Sequence, residues 1–166
     1  MLFRSTAEAP KSTSLIRSIA CKKNITVVTI VSSRMLGAHG FLRRIFEVFD
    51  RHETPVDMLA TSEVSVSLTI DNPRALAAIR KDVEEFAEIS IEENQAILCM
   101  VGDNIRYTPG VAARAFGALK DINIRMISQG ASELNISVVV AAEDLTHAVE
   151  SLHREFFTNP DPAVFD

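Results

Sequence analysis

An internal repeat with an offset of 70 residues is the feature that most restricts what this chain can fold into. At that offset Gly40 maps to Gly110 and Phe46 maps to Phe116. A stretch that alternates between apolar and polar residues also repeats, and its apolar positions are Val64, Val66, Leu68 and Ile70 in the first copy and Leu134, Ile136, Val138 and Val140 in the second. A loop glycine and a four-position alternation seldom match at one offset by chance. The sequence therefore predicts two copies of one structural unit.

Each copy combines the apolar spacing of helices with that of strands. In the first copy a helix is predicted over residues 41–51, where apolar side chains recur every three or four positions before Pro55. Asp71-Asn72-Pro73 predicts the start of a second helix, because proline is tolerated in the first turn. Alternating and β-branched runs predict strands over residues 25–31, 56–60, 64–70 and 89–92. The predicted order is β-α-β-β-α-β, and the second copy repeats it up to its last helix.

The second copy lacks a closing strand, since its last helix is followed by Asn159-Pro160-Asp161-Pro162, which cannot continue a sheet. A short strand is predicted over residues 15–21, ahead of the first copy, and is expected to end at Lys22-Lys23-Asn24. We expect this strand to cross over and complete the second sheet, because an unpaired edge would otherwise remain. The predicted division is a linker or disordered segment at residues 1–13, a first unit at 24–93, a second unit at 14–23 plus 94–157, and a tail at 158–166.

These patterns predict an α+β fold made of two tandem ferredoxin-like βαββαβ units. Each unit is expected to be a four-stranded antiparallel sheet with two helices on one face. Such units expose edge strands and edge helices, so pairing of two units side by side would cover them.

Composition argues against several functions. The net charge of −5 does not suit nucleic acid or an anionic membrane, since both require clustered Lys and Arg. No apolar run approaches the ~20 residues that span a bilayer. Cys21 and Cys99 fall in predicted strands and are interpreted as reduced core thiols of a cytoplasmic protein. The 4 histidines have no metal-ligand spacing, and no phosphate-binding or nucleophile motif occurs. We therefore expect no metal, no cofactor and no catalytic residue in this chain, and a sensor rather than a catalyst.

The strongest candidate for a site is the loop over residues 36–40 together with Asp57. Free backbone N–H groups at the start of the first helix suit a carboxylate. Asp57, on the strand that follows that helix, is placed to face an ammonium group as a charge-assisted partner. Both charged groups of a free amino acid could bind in this way. The alternative is that Gly37 and Gly40 only permit a tight turn and that Asp57 is a solvated surface acid.

The two copies differ at the position of this acid. Asp57 corresponds to Ile127 at the offset of 70, or to Arg125 if a slip of two residues is allowed. Neither residue can neutralise an ammonium group. The sequence thus predicts one ligand-binding unit and one structural unit.

Several motifs resemble the C-terminal regulatory region of aspartokinases, especially the lysine-sensitive ones, which carries tandem ACT domains. They are Lys22-Lys23-Asn24-Ile25-Thr26, Gly40-Phe41-Leu42, Val56-Asp57 and the run from Thr61 to Val66. The resemblance covers roughly residues 14 to 157. It implies that the first unit pairs with its copy in another subunit, that lysine binds at the seam, and that feedback inhibition follows when lysine rearranges the kinase domains.

The resemblance also implies roles for individual residues. Backbone contacts to the effector would come from Gly40, Phe41 and Leu42, and the carboxylate that faces the lysine side chain would be Asp57. The remaining residues expected to line the pocket are Met35, Val56, Thr61 and Ser62.

The family context sets expectations for partners. No kinase-sized domain or Lys-Phe-Gly-Gly opening precedes Leu15, so we expect this chain not to phosphorylate aspartate by itself. An aspartokinase catalytic domain, in the same or a separate chain, would supply the ATP and Mg sites of the first step of the aspartate-family pathway. Two alternatives stay open, namely a ligand-free dimerisation or scaffold module and a threonine-responsive relative.

Overall fold

The computed structural model describes residues 15–35, 39–130 and 132–157. The predicted linker at residues 1–13, the predicted tail at 158–166, and residues 36–38 of the predicted binding loop lie outside the described residues.

The described residues form strands and helices in the order expected for two βαββαβ units, so the predicted α+β fold class is confirmed. The elements of the first unit are β1 (Ser18–Val31), α1 (Phe41–Arg51), β2 (Leu59–Thr61), β3 (Ser65–Ile70), α2 (Leu76–Glu84) and β4 (Glu88–Val101). The elements that follow are α3 (Val111–Ala118), β5 (Met126–Gln129), β6 (Asn135–Ala141) and α4 (Leu145–Phe157). The first helix spans the residues that the apolar spacing predicted.

The strands form one six-stranded antiparallel sheet in the order β2-β3-β1-β4-β6-β5. The central strands β1 and β4 are each 14 residues long and belong to both units. The second half of β1 pairs with β3, from Thr26–Ile70 to Val31–Ser65. Its first half pairs with the second half of β4, from Ser18–Val101 to Lys22–Ile97. Each unit thus has four strands, and the two sheets join through β1 and β4.

The predicted strand end at Lys22-Lys23-Asn24 differs from the structure, in which β1 continues through these residues. Asn24 has a φ of 58° and Asn94, its equivalent in β4, has a φ of 56°. The β1–β4 register shifts between Lys22 and Ile25 and again before Val27. Because asparagine tolerates the left-handed conformation, the polar residues create a bulge instead of ending the strand.

Three apolar clusters hold this arrangement together. One lies under α1 and α2 and includes Ile45, Phe49 and Ile79, and its counterpart lies under α3 and α4. The third cluster contains Val27 and Val139 and joins residues of both units. Val27 points to the opposite face from its neighbour Val28, which belongs to the first cluster. The two units therefore share a core on the side of the sheet that carries no helices.

Candidate functional site

The predicted site residues fall into two groups, at the two ends of the first unit. Six of them lie where β1 ends and α1 begins, namely Met35, Gly40, Phe41, Leu42, Thr61 and Ser62. Thr61 lies at this end because it pairs with Val66, which in turn pairs with Ile30 near the end of β1. Val56 and Asp57 lie beyond the last residue of α1, at the opposite end of the unit. Since α1 has 11 residues, the two groups are roughly 16 Å apart.

The first group surrounds the start of α1. Gly40 precedes the helix with a φ of 80°, and the Arg44 N–H donates to its carbonyl at 3.1 Å. Gly40 provides no side-chain cap to the first N–H groups of this helix. These N–H groups can therefore donate hydrogen bonds to a ligand, as the predicted carboxylate site requires. Thr61 and Ser62 are exposed beside this end, where Ser62 Oγ and Ser65 Oγ lie 2.6 Å apart.

The second group is fixed by backbone pairing with β3. The Asp57 N–H donates to the Thr69 carbonyl at 3.0 Å, and the Met58 N–H donates to Thr69 Oγ1 at 2.9 Å. Val56 lines an open groove along α1, together with residues that include Phe46 and Asp50. The backbone at Asp57 is thus held in place, and 29% of its side chain is exposed.

The carboxylate of Asp57 already accepts a hydrogen bond from an ammonium group of its own chain. Lys22 Nζ lies 2.7 Å from Asp57 Oδ2 and 2.8 Å from Asp71 Oδ2. The hydrogen bonds from Lys22 to Asp57 and Asp71 raise the pKa of the Lys22 ammonium, and the bond to Asp57 has the larger effect. The same bond from Lys22 lowers the pKa of Asp71. The Asp57 carboxylate therefore binds the ammonium group of Lys22 in this structure, and its contact with an effector stays a prediction.

Sequence reasoning missed the contributions of Lys22 and Asp71. The sequence patterns place Lys22 in a motif without indicating a role for it, and they predict for Asp71 only a place at a helix start. No sequence pattern shows these contacts directly, because they depend on the pairing of β3, which ends at Ile70, with Thr26 of β1. This pairing places Asp71 beside the polar run that contains Lys22.

The second unit carries the reverse charges at the equivalent places. The Arg125 N–H donates to the Val139 carbonyl at 2.8 Å, as the Asp57 N–H does to Thr69, so Arg125 takes the place of Asp57. The slip of two residues is therefore the correct alignment. Arg125 Nε lies 3.6 Å from Glu92 Oε2, and Glu92 is the offset-70 equivalent of Lys22.

The outer side of the first unit is apolar as well as charged. Leu42 and Phe46, one turn apart on α1, are each 39% exposed, and Leu59 on the edge strand β2 is 37% exposed. The strand β2 lies at one end of the sheet order. These residues form an exposed surface, called here the α1–β2 edge, that runs between the two groups of predicted site residues.

Residues 15–35, 39–130 and 132–157 contain neither a membrane-spanning helix nor a metal site. None of the helices there is long and apolar enough to cross a membrane. The same residues contain no group of three or more His, Cys, Asp or Glu side chains that could hold a metal ion.

Comparison with known families identifies the fold. A model of the ACT domain matches residues 28–86 and again residues 98–156, so the matched segments repeat at the offset of 70 and together cover more than half of the chain. The chain therefore belongs to the ACT domain family and contains two tandem ACT units.

Within that family the chain matches the C-terminal regulatory region of aspartokinases. It is 40% identical to a protein described as a C-terminal regulatory domain of aspartate kinase from Porphyromonas gingivalis W83, with a TM-score of 0.78 over 87% of this chain and 99% of the other. It is 34% identical to Escherichia coli aspartokinase III in complex with lysine and aspartate, with a TM-score of 0.81 over 90% of this chain and 35% of the other. It is also 37% identical to the chloroplastic aspartokinase 1 of Arabidopsis thaliana, covering 89% of this chain.

The chain spans only 28% of the length of the Arabidopsis relative, and 34% of the lysine-sensitive aspartokinase 3 of Escherichia coli. The shared region is thus the regulatory part of those proteins and not the whole of them.

Proposed function

We propose that this chain is the lysine-responsive regulatory region of an aspartate kinase, and that lysine binds at a seam between the first ACT units of two copies. The observation that carries this proposal is the separation of the two groups of predicted site residues. Gly40 and Asp57 lie roughly a helix length of 16 Å apart, whereas a free lysine with its four-carbon stem is about half as long. One lysine cannot reach from one group to the other within a single chain.

A second copy removes this difficulty. If two copies pair along the α1–β2 edge about a twofold axis perpendicular to that edge, their α1 helices run antiparallel. The start of α1 in one copy then lies beside Asp57 of the second copy. The α-carboxylate of lysine would accept hydrogen bonds from the N–H groups of Phe41 and Leu42, and its side-chain ammonium would face Asp57 across the seam. Met35, Val56, Thr61 and Ser62 would line the same pocket.

The exposed surface supports such a pairing. Leu42, Phe46 and Leu59 would be removed from water, and the unpaired side of β2 would face the same strand of the second copy. Because lysine would touch both copies, it would favour one relative arrangement of them. The regulatory mechanism is then a population shift towards the arrangement in which the kinase is inactive.

The catalytic partner belongs to the same proposal. An aspartate kinase domain, in the same or a separate chain, would hold ATP and Mg, and this region would bind the effector alone. The cytoplasmic location stays a prediction, based on Cys21 and Cys99. Both thiols are free, but Cys21 is exposed and Cys99 only partly buried, so the prediction that they belong to the core is wrong.

The test is a calorimetric titration of the chain with lysine, threonine and methionine. We expect heat with lysine, a stoichiometry of one lysine per chain, and a dimer by light scattering. Threonine has no distal ammonium and leaves Asp57 without a partner, so we expect weaker binding. No heat with lysine while another amino acid binds would overturn the ligand assignment.

A second candidate function is a dimerisation module that binds no effector. The Lys22–Asp57 contact favours it, because this acid already has an ammonium partner within the chain. This alternative predicts no thermal shift with any amino acid and an Asp57→Ala protein that behaves like the parent. The sensor predicts instead that Asp57→Ala loses lysine binding and stays dimeric.

A further inference from the structure

The contact between Lys22 and Asp57 matters for the proposed effector site, because both a ligand ammonium and Lys22 require the same carboxylate. Lys22 Nζ is bound to Asp57 Oδ2 at 2.7 Å and to Asp71 Oδ2 at 2.8 Å. One ammonium therefore serves two carboxylates, which leaves one negative charge in the group uncompensated. A second cation entering this group would be attracted and not repelled.

Lys22 can change its carboxylate partner at a small cost in free energy. Its side chain is 44% exposed, and those of Asp57 and Asp71 are 29% and 41% exposed, so both contacts are partly solvated ion pairs of small net strength. The lysine stem is flexible and its ammonium can donate in several directions. Lys22 can consequently leave Asp57 and keep Asp71, without ever losing a carboxylate partner.

The second unit shows that the extra acid is specific to the first. There the equivalent contact joins Arg125 to Glu92 at 3.6 Å. The position equivalent to Asp71, by the offset of 70, is Ala141. The strand pairing supports this alignment, because Ile70 of β3 and Val140 of β6 occupy the same register against β1 and β4. An ion pair that only stabilised the packing of the strands would not need a second carboxylate, and the second unit has no carboxylate at this position.

We propose that Lys22 is an internal cation that competes with the effector's side-chain ammonium for Asp57, and that Asp71 retains Lys22 when the effector displaces it. Lys22 then lowers the affinity for any effector with a distal ammonium, and Asp71 limits that loss. The inference rests on the proposed function, since it takes Asp57 as the acid that meets the effector.

Two substitutions should change lysine affinity in opposite directions. Lys22→Met removes the competitor and leaves two acids at the site, so lysine should bind about two- to fivefold more tightly. Asp71→Asn leaves Lys22 dependent on Asp57 alone, so lysine should bind about two- to fivefold more weakly. Both are measured by calorimetric titration of the full chain with lysine, with circular dichroism to verify folding.

Matched controls separate this exchange from a general change of charge. Lys23→Met removes the same charge one residue away, from a side chain with no ion pair to any described residue. Glu92→Gln breaks the equivalent pair of the second unit. Both proteins should bind lysine as the parent does. An affinity for lysine in Lys22→Met that equals that of Lys23→Met, or falls below that of the parent, would overturn the competition.

The outcomes also distinguish the inference from the proposed function. If the parent binds lysine and Lys22→Met does not bind it more tightly, only the competition is wrong. If the parent fails to bind lysine but Lys22→Met binds it, the competition is supported and the parent is not a lysine sensor. If neither protein binds lysine, both proposals are wrong.

Discussion

The two ACT units share a backbone and differ in the charges at one position. Gly40 and Gly110 both precede a helix with a φ near 80°, at 80° and 84°. Asp57 and Arg125 both donate a backbone N–H to β3 or β6 in the same register. Yet the first side chain is an acid and the second a base. The apolar pattern determines the unit, and a few polar positions determine what it can bind.

The first test of this comparison is whether the two units unfold independently of each other. Phe49 and its equivalent Leu119 are both buried, at 2% and 1% exposure. Phe49→Ala should cost about 3–5 kcal/mol and Leu119→Ala about 2–5 kcal/mol of unfolding free energy. Because β1 and β4 belong to both units, we expect each substitution to shift one common transition in urea. Two separate transitions, each moved by only one substitution, would show that the units unfold independently.

An exchange of charges tests the difference between the units directly. Asp57→Arg gives the first unit the charge of the second, and should weaken lysine binding by about 1.5–3 kcal/mol or more, since a charged hydrogen bond is lost and a like charge is added. Arg125→Asp, the converse change, should leave lysine binding as in the parent. Calorimetry measures both. Equal losses from the two substitutions would contradict the assignment of the effector to the first unit.

The helix starts provide a smaller effect with a matched control. An alanine at Gly40 or Gly110 would have to adopt a positive φ, at a cost of about 1–2 kcal/mol in stability, although neither position has an atom within 4 Å of an added Cβ. We expect similar losses of stability in urea for the two proteins. Only Gly40→Ala should also weaken lysine binding, because it disturbs the N–H groups of the first helix. Weaker binding by Gly110→Ala would argue against that reasoning.

Much of the fold could be predicted from sequence because it depends on apolar periodicity. The bounds of α1 and the repeat itself were visible in side chains such as Ile45 and Val48. The continuity of β1 was not, since Lys22-Lys23-Asn24 has the composition of a turn and only the partner strand shows that it is a bulge. The choice between Ile127 and Arg125 as the equivalent of Asp57 also needed the register of β5.

The site was predictable only in part, for a similar reason. The glycine before α1 and the acid after it are local features, and local patterns find them. The contact of Lys22 with Asp57 joins residues 35 positions apart through the bulge in β1. No spacing rule predicts an ion pair between residues so far apart in sequence, because the contact depends on the order of the strands.

The contact between the two helices of each unit gives the last and smallest test, which depends on pH. In the first unit Asp82 accepts from His52 Nε2 at 2.9 Å and lies 3.1 Å from Arg51, whereas in the second Arg114 pairs with Glu155 at 2.7 Å. The hydrogen bond from His52, with the charge of Arg51, lowers the pKa of Asp82 below its ordinary 3.8. Its stabilising effect is therefore complete above that value and is lost as pH falls through the lowered pKa. Unfolding in urea should show parent and Asp82→Asn differing at pH 6 and converging as the pH falls below the lowered pKa of Asp82, and a difference that grew on acidification would contradict the role of the Asp82 carboxylate.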